Sequence, residues 1–247
     1  MIQVKNLHYR YGDGTYALRG INLSIETGEF LLICGPNGSG KTTLLRLLSG
    51  LIEPSEGSIL INGFDTKKDP LKARQSVGLL FQDPESQIVG ETVQEDVAFG
   101  PENLGLSREE IDRRVFWALK KMGLEPLAGK PCYLLSGGEK RRLALAGVMA
   151  MQPDILLFDE PFANLDYPGV QEALRGMIQL HQEGHTLVVT THEVEKVIAH
   201  VDRVVVLQGG RIQAIGPPEN LAHDLSLFGV RPPCYILLGC ERLSWLE

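Results

Sequence analysis

Apolar and polar residues alternate from Ile2 to Tyr11, the period-two pattern of a strand buried on one face. Gly12-Asp13-Gly14 interrupts it with a turn signal. Ile21 to Ile25 resumes the alternation. Thr27-Gly28-Glu29 then turns the chain into Phe30 to Cys34, an unbroken apolar run of strand length. After a glycine-rich stretch the spacing becomes helical from Lys41 to near Gly50. Gly57 to Ile61 and Val77 to Phe81 predict further strands. From Asp83 to about Ala150 the character changes, and no stretch reads as a long strand. Ser107-Arg108-Glu109-Glu110 has the form of a capping box, after which Ile111, Val115, Leu119 and Met122 recur at helical spacing until Gly123. Ile155 to Phe158, Thr186 to Thr190 and Val204 to Leu207 are again apolar, as strands of a parallel sheet covered on both faces should be. A helix opened by Pro168 and closed by Gly184 separates the first two of these. The alternation predicts an α/β fold on a mostly parallel sheet, with a helical insertion over about residues 84–150 and the ligand at the carboxyl ends of the strands.

Composition narrows the classes without choosing one. A chain of 247 residues can bury a full core without disulfides or a structural metal. A net charge of −7, with no long run of like charges, argues against a nucleic-acid binder working by bulk attraction. The longest apolar runs are about five residues, far short of a membrane span. Met1 leads straight into a strand-like segment rather than a leader peptide, so the expectation is a chain that folds in the cytoplasm. Cys34, Cys132, Cys234 and Cys240 have no metal-binding spacing and are expected to be reduced thiols.

The candidate chemistry centres on Gly35-Pro36-Asn37-Gly38-Ser39-Gly40-Lys41-Thr42-Thr43, between the Phe30 strand and the Lys41 helix. It fits G-x-x-x-x-G-K-[ST], the loop that cradles phosphates. Gly35, Gly38 and Gly40 allow a tight turn with successive N–H groups aimed at one anion, and the helix adds its positive end. Lys41 should reach the β- and γ-phosphates, and the Thr42 hydroxyl should hold Mg²⁺. Asp159-Glu160 closes an apolar strand, which suits Asp159 to the metal and Glu160 to an attacking water. Leu135-Ser136-Gly137-Gly138-Glu139 offers a second anion-binding turn at a helix start, with Ser136 able to cap; alone it is a weak signal.

Together these motifs resemble the ABC ATPases. Leu135-Ser136-Gly137-Gly138-Glu139 is similar to that family's signature, Gln82 to its Q-loop glutamine, Ala163-Asn164-Leu165-Asp166 to its D-loop, and His192 to its switch histidine. Tyr11 matches the aromatic that stacks on adenine, with Tyr16 as its rival. The motifs stand in family order over roughly residues 2–220. Phe81-Gln82-Asp83-Pro84 and the stretch Val93 to Leu106 narrow the likeness to the ATPases of energy-coupling-factor importers, the cobalt, nickel and vitamin group. The resemblance implies a P-loop NTPase cassette over residues 1–229, with a mostly parallel core, an N-terminal antiparallel β subdomain and a helical signature subdomain. Residues 230–247 remain as a short tail.

The resemblance also implies a mechanism. Two ATPase subunits, identical or different, face each other head to tail, each ATP lying between the phosphate loop of one and Ser136, Gly137 and Gly138 of the other. Mg²⁺ is held by Thr42, Asp159 and Gln82. Lys41 and Glu160 act in catalysis, with His192 contacting the γ-phosphate or orienting Glu160. An integral membrane subunit docks on the Asp83–Leu106 segment at the cytoplasmic face of the membrane. Competing readings are another ABC transporter class, a soluble ABC ATPase acting on DNA or the ribosome, and a binding-only regulator. A single phosphate loop and no sustained heptads speak against the soluble class, and the Asp159-Glu160 pair speaks against the regulator. Cys34 is unusual before such a loop and reads as a small buried strand residue. His8, His181, His185, His200 and His223 are expected to be solvated or packed, and Trp117 to be core. Tyr235-Ile236-Leu237-Leu238, Leu243, Trp245 and Leu246 make the tail too apolar to be free; its own domain and a second subunit are both open as its packing surface.

Overall fold

The computed structural model describes residues 1–239 and 243–246, so Cys240 and the last residue of the tail lie outside the description. The chain divides into two compact units, Met1–Val77 with Ile155–Glu247, and Gly78–Asp154. The first unit opens with β1 (Ile2–Arg10), β2 (Tyr16–Ile25), β3 (Phe30–Cys34), α1 (Lys41–Leu48), β4 (Glu56–Ile61), β5 (Phe64–Asp65) and α2 (Pro70–Gln75). β6 (Val77–Leu80) spans the boundary between the units. Strands β2-β1-β4-β5 form an antiparallel sheet in that order. Ile2, Val4 and Leu7 of β1 are buried, and the alternation changes phase at Asn6, whose φ is +44°.

The second unit holds α3 (Val93–Asn103), α4 (Arg108–Lys121) and α5 (Gly137–Ala150). They share a core that includes Val93, Val97, Ile111, Val115, Leu119 and Leu143. Capping boxes start two of them. Thr92 and Glu95 close α3 reciprocally, as Ser136 and Glu139 close α5. The box expected at α4 is only half built. Ser107 accepts from the Glu110 N–H, but the Glu110 carboxylate is taken by Arg113 and Arg114, which hold it down at about 2. Trp117 also departs from expectation. The buried stripe of α4 runs through Ile111, Val115, Ala118 and Leu119, leaving Trp117 on the flank, 37% exposed, beneath the Lys121 ammonium.

The chain returns to the first unit with β7 (Ile155–Asp159), α6 (Tyr167–Gln182), β8 (Thr186–Thr190), β9 (Arg203–Gln208) and β10 (Arg211–Gly216). Short helices α7 (Pro218–Leu221) and α8 (Cys234–Leu238) follow. The larger sheet runs β10-β9-β3-β8-β7 through this unit. Its β9, β3, β8 and β7 are parallel, with β10 turned back antiparallel as an edge. Every residue of β3, β7 and β8 is buried, which explains their unbroken apolar sequences. The tail packs on its own unit. The Trp245 ring lies 5.5 Å from that of Tyr167, Gln171 donates to the Trp245 carbonyl, and His200 Nε2 and Ser244 Oγ are 2.8 Å apart.

Candidate functional site

The loop Gly35–Gly40 leaves the carboxyl end of β3 and enters α1 at Lys41. Two of its glycines are dictated by space. A Cβ on Gly35 would sit 2.0 Å from the Leu207 carbonyl oxygen. Gly40 has φ +106°, and its Cβ would stand 2.7 Å from the Ala17 carbonyl oxygen. Asn37 and Gly38 are exposed at the tip, and Pro36 is half-buried beneath them. Lys41 is buried and folds back over the loop, donating to the Gly35 carbonyl at 2.8 Å and the Pro36 carbonyl at 3.3 Å. Ser39 Oγ is buried and makes no hydrogen bond. A buried lysine resting on carbonyls and a buried hydroxyl with no partner together fit a ligand that brings several oxygen acceptors, as a polyphosphate does. Cys34 lies under this loop with its thiol pushed up to about 12 by burial, despite the opposing charge of Lys41.

The acidic side of the site comes from the neighbouring strand ends. Thr42 donates to Asp159 Oδ1 at 3.1 Å, and Thr190 donates to the same oxygen at 2.8 Å. These hydroxyl and carboxylate oxygens are the hard donors that suit Mg²⁺. The next residue, Glu160, has φ +47°, a conformation uncommon for a side chain of this kind. That turn carries its carboxylate away from Asp159 toward His192, whose Nδ1 is 3.1 Å from both carboxylate oxygens. Lys41 Nζ stands 3.7 Å from Glu160 Oε1. The Glu160 carboxylate is buried while the His192 ring is half exposed, so the pair sits at the mouth of the site. Asp166 caps α6 through the Gly169 N–H, and Asn164 before it has φ +58°.

Tyr11 stands just past β1, 40% exposed, with its hydroxyl 2.7 Å from Thr43 Oγ1. The fold therefore ties it to the first turn of α1. Tyr16 is similarly exposed, but its ring lies beneath the Arg10 and Arg19 guanidiniums. Lys41, Thr42, Thr43, Asp159, Glu160, His192 and Tyr11 are thus assembled within the first unit. Gln82 and Ser136-Gly137-Gly138 belong to the second. Gln82 is exposed immediately beyond β6, and Ser136, Gly137 and Gly138 are exposed at the start of α5.

Two polar residues that motif reading passed over are built into these regions. Thr190 holds Asp159 as described; a hydroxyl at the end of an otherwise apolar run was its trace in the sequence. Asp96, buried in α3, accepts from the Val89 and Gly90 N–H groups at 2.8 and 2.9 Å. Burial raises its carboxyl above the usual range while those two donors oppose the rise. An acid among the apolar positions of α3 was the signal available for it.

The family model described as ABC transporter matches residues 18–163. The energy-coupling factor transporter ATP-binding protein EcfA of Methanosarcina acetivorans is 46% identical, over 99% of this chain and 90% of its own length. The solved structure of cbiO1 from Clostridium perfringens, part of the ABC transporter complex cbiONQ, is similar with a TM-score of 0.81 at 40% identity, covering 92% of each chain. The ATP-binding cassette MJ0796, solved as a dimer in a post-hydrolysis state with ADP and Pi, gives 0.77 at 33% identity, over 88% of this chain and 99% of that one. With a phosphate loop, a strand-end carboxylate pair and matches of this extent, the chain belongs to the ABC transporter family and is an ATPase.

Proposed function

We propose that this chain powers an energy-coupling-factor importer for a cobalt or nickel ion or a vitamin, acting as one of two paired ATPase subunits at the cytoplasmic face of the membrane. The observation that carries the reading is the linked set Lys41–Glu160–His192 and Thr42–Asp159 at the ends of neighbouring parallel strands. The names of the relatives support an energy-coupling factor transporter, and the resemblance of the segments Phe81–Pro84 and Val93–Leu106 supports the import subtype. None of the described helices is long and apolar enough to cross a membrane; the separate membrane subunit is what the family resemblance implies.

In this reading the phosphates of ATP replace the Gly35 and Pro36 carbonyls as acceptors for Lys41, and Ser39 gains the partner it lacks. The Tyr11 ring supports the adenine. Thr42 and Asp159 would hold Mg²⁺, which would supply positive charge against the phosphate oxygens; the family resemblance gives Gln82 the same role. Glu160 takes a proton from the attacking water, and His192 holds the Glu160 carboxylate in position. Ser136, Gly137 and Gly138 serve the nucleotide of the partner subunit, so turnover depends on pairing. The γ-phosphate bridges the halves, and its loss lets them part.

The membrane subunit docks on the second unit. There a groove of about 570 Å³ is lined by Glu85, Ile88, Gly90, Thr92, Tyr133 and Lys140, with Val89 and Phe99 exposed on the same segment. Glu160→Gln tests the chemistry directly. It keeps the shape and the binding of ATP but removes the base, so phosphate release should fall by about 100-fold or more. Equal turnover in the variant would remove Glu160 from the mechanism.

A further inference from the structure

Asp159 and Thr190 are register partners on the parallel strands β7 and β8. Thr190 is fully buried, and the residues before it, Val188 and Val189, show that a valine suits this strand. A buried hydroxyl costs stability unless it is bonded. Its single proton goes to Asp159 Oδ1 at 2.8 Å in preference to the Phe158 carbonyl at 3.4 Å. The same residue acts through its backbone as well: the Thr190 carbonyl accepts the Glu160 N–H at 2.9 Å and so fixes the turn at φ +47°. Thr42 also donates to Asp159 Oδ1, at 3.1 Å, so two hydroxyls share this oxygen. Thr190 is the closer and the fully buried one, and it lies outside the residues read as metal ligands.

The geometry points to Thr190 as a positioning residue that holds the Asp159 carboxylate ready for Mg²⁺ and pins the backbone of Glu160. This rests on the reading of Asp159 as a metal ligand. The test compares wild type, Thr190→Val, which keeps the shape and the backbone carbonyl, and Thr190→Ser, which keeps the hydroxyl. Binding of a fluorescent ATP analogue is measured in EDTA and then across a Mg²⁺ titration. The Val variant should match wild type in EDTA within about twofold and need about tenfold more Mg²⁺ for half-saturation, the expected loss for one hydrogen bond to a charged group. The Ser variant should restore the wild-type requirement. An unchanged Mg²⁺ requirement in Thr190→Val, a matching loss of binding in EDTA, or failure of serine to rescue would each overturn the assignment. A wild-type protein whose nucleotide binding ignores Mg²⁺ would instead overturn the metal reading beneath it.

Discussion

Glycines stand at the start of a helix in both units, yet they are there for different reasons. Before α1, Gly35 and Gly40 are required by the chain itself, because a Cβ at either would collide with a backbone carbonyl of its own unit. At the start of α5, Gly137 and Gly138 face open space and neither has a positive φ. Helix propensity there favours alanine. The first loop is tied together within its unit: Lys41 donates to the Gly35 carbonyl and stands 3.7 Å from Glu160, and Thr42 donates to Asp159. The second is held by its capping box and by the Lys130–Glu139 ion pair, and its exposed glycines face open space. Fold accounts for one pair of glycines; the paired mechanism proposed above accounts for the other.

The largest effect expected from this contrast is on stability. Gly35→Ala must move the Leu207 carbonyl and strain the loop, at a cost of roughly 3–5 kcal/mol from overpacking and backbone strain. The denaturant midpoint should fall sharply, with nucleotide binding lost alongside it. A variant as stable as wild type would mean that the close approach at Gly35 relaxes freely.

Gly138→Ala should do the reverse. Stability should stay level or rise by up to about 1 kcal/mol, because alanine is the better helix former and meets no neighbour. Binding of ATP to the isolated chain should be unchanged. Steady-state turnover should fall on the order of 100-fold, because the added methyl keeps the partner's phosphate from the helix end. Full turnover at wild-type stability would show that the α5 glycines answer to no partner, and the paired mechanism would lose its main support.

The same contrast explains what the sequence disclosed. The phosphate loop, the Ile155–Asp159 strand and the Thr186–Thr190 strand were legible because burial on both faces writes an unbroken apolar run, and the loop's spacing is set by one anion. The Thr190–Asp159 bond was not legible, because it joins residues 31 apart through a parallel register that no local pattern encodes. Trp117 misled because helical spacing marks a stripe but blurs its flanks. Ser107 to Glu110 misled because Arg113 and Arg114 outbid a neutral backbone N–H for the Glu110 carboxylate. β10 was overlooked although Gly209-Gly210 and the alternation after it mark an edge hairpin; its half-exposed residues lack the apolar run that revealed its neighbours.

The smallest effect on the isolated chain should come from the surface assigned to the membrane subunit. Phe99 lies on α3 with 52% of its surface exposed, outside the core formed by Val93 and Val97. Phe99→Asp removes little packing, so stability should change by no more than about 0.5 kcal/mol and ATP binding should not change. A new charge in an apolar docking contact is a different matter, because it must be desolvated without a partner. Co-purification with the membrane subunit should therefore be lost while the soluble measurements stay level. The variant separates the units cleanly: a Phe99→Asp protein that still co-purifies at wild-type yield would move the docking surface away from α3, without touching the chemistry assigned to the first unit.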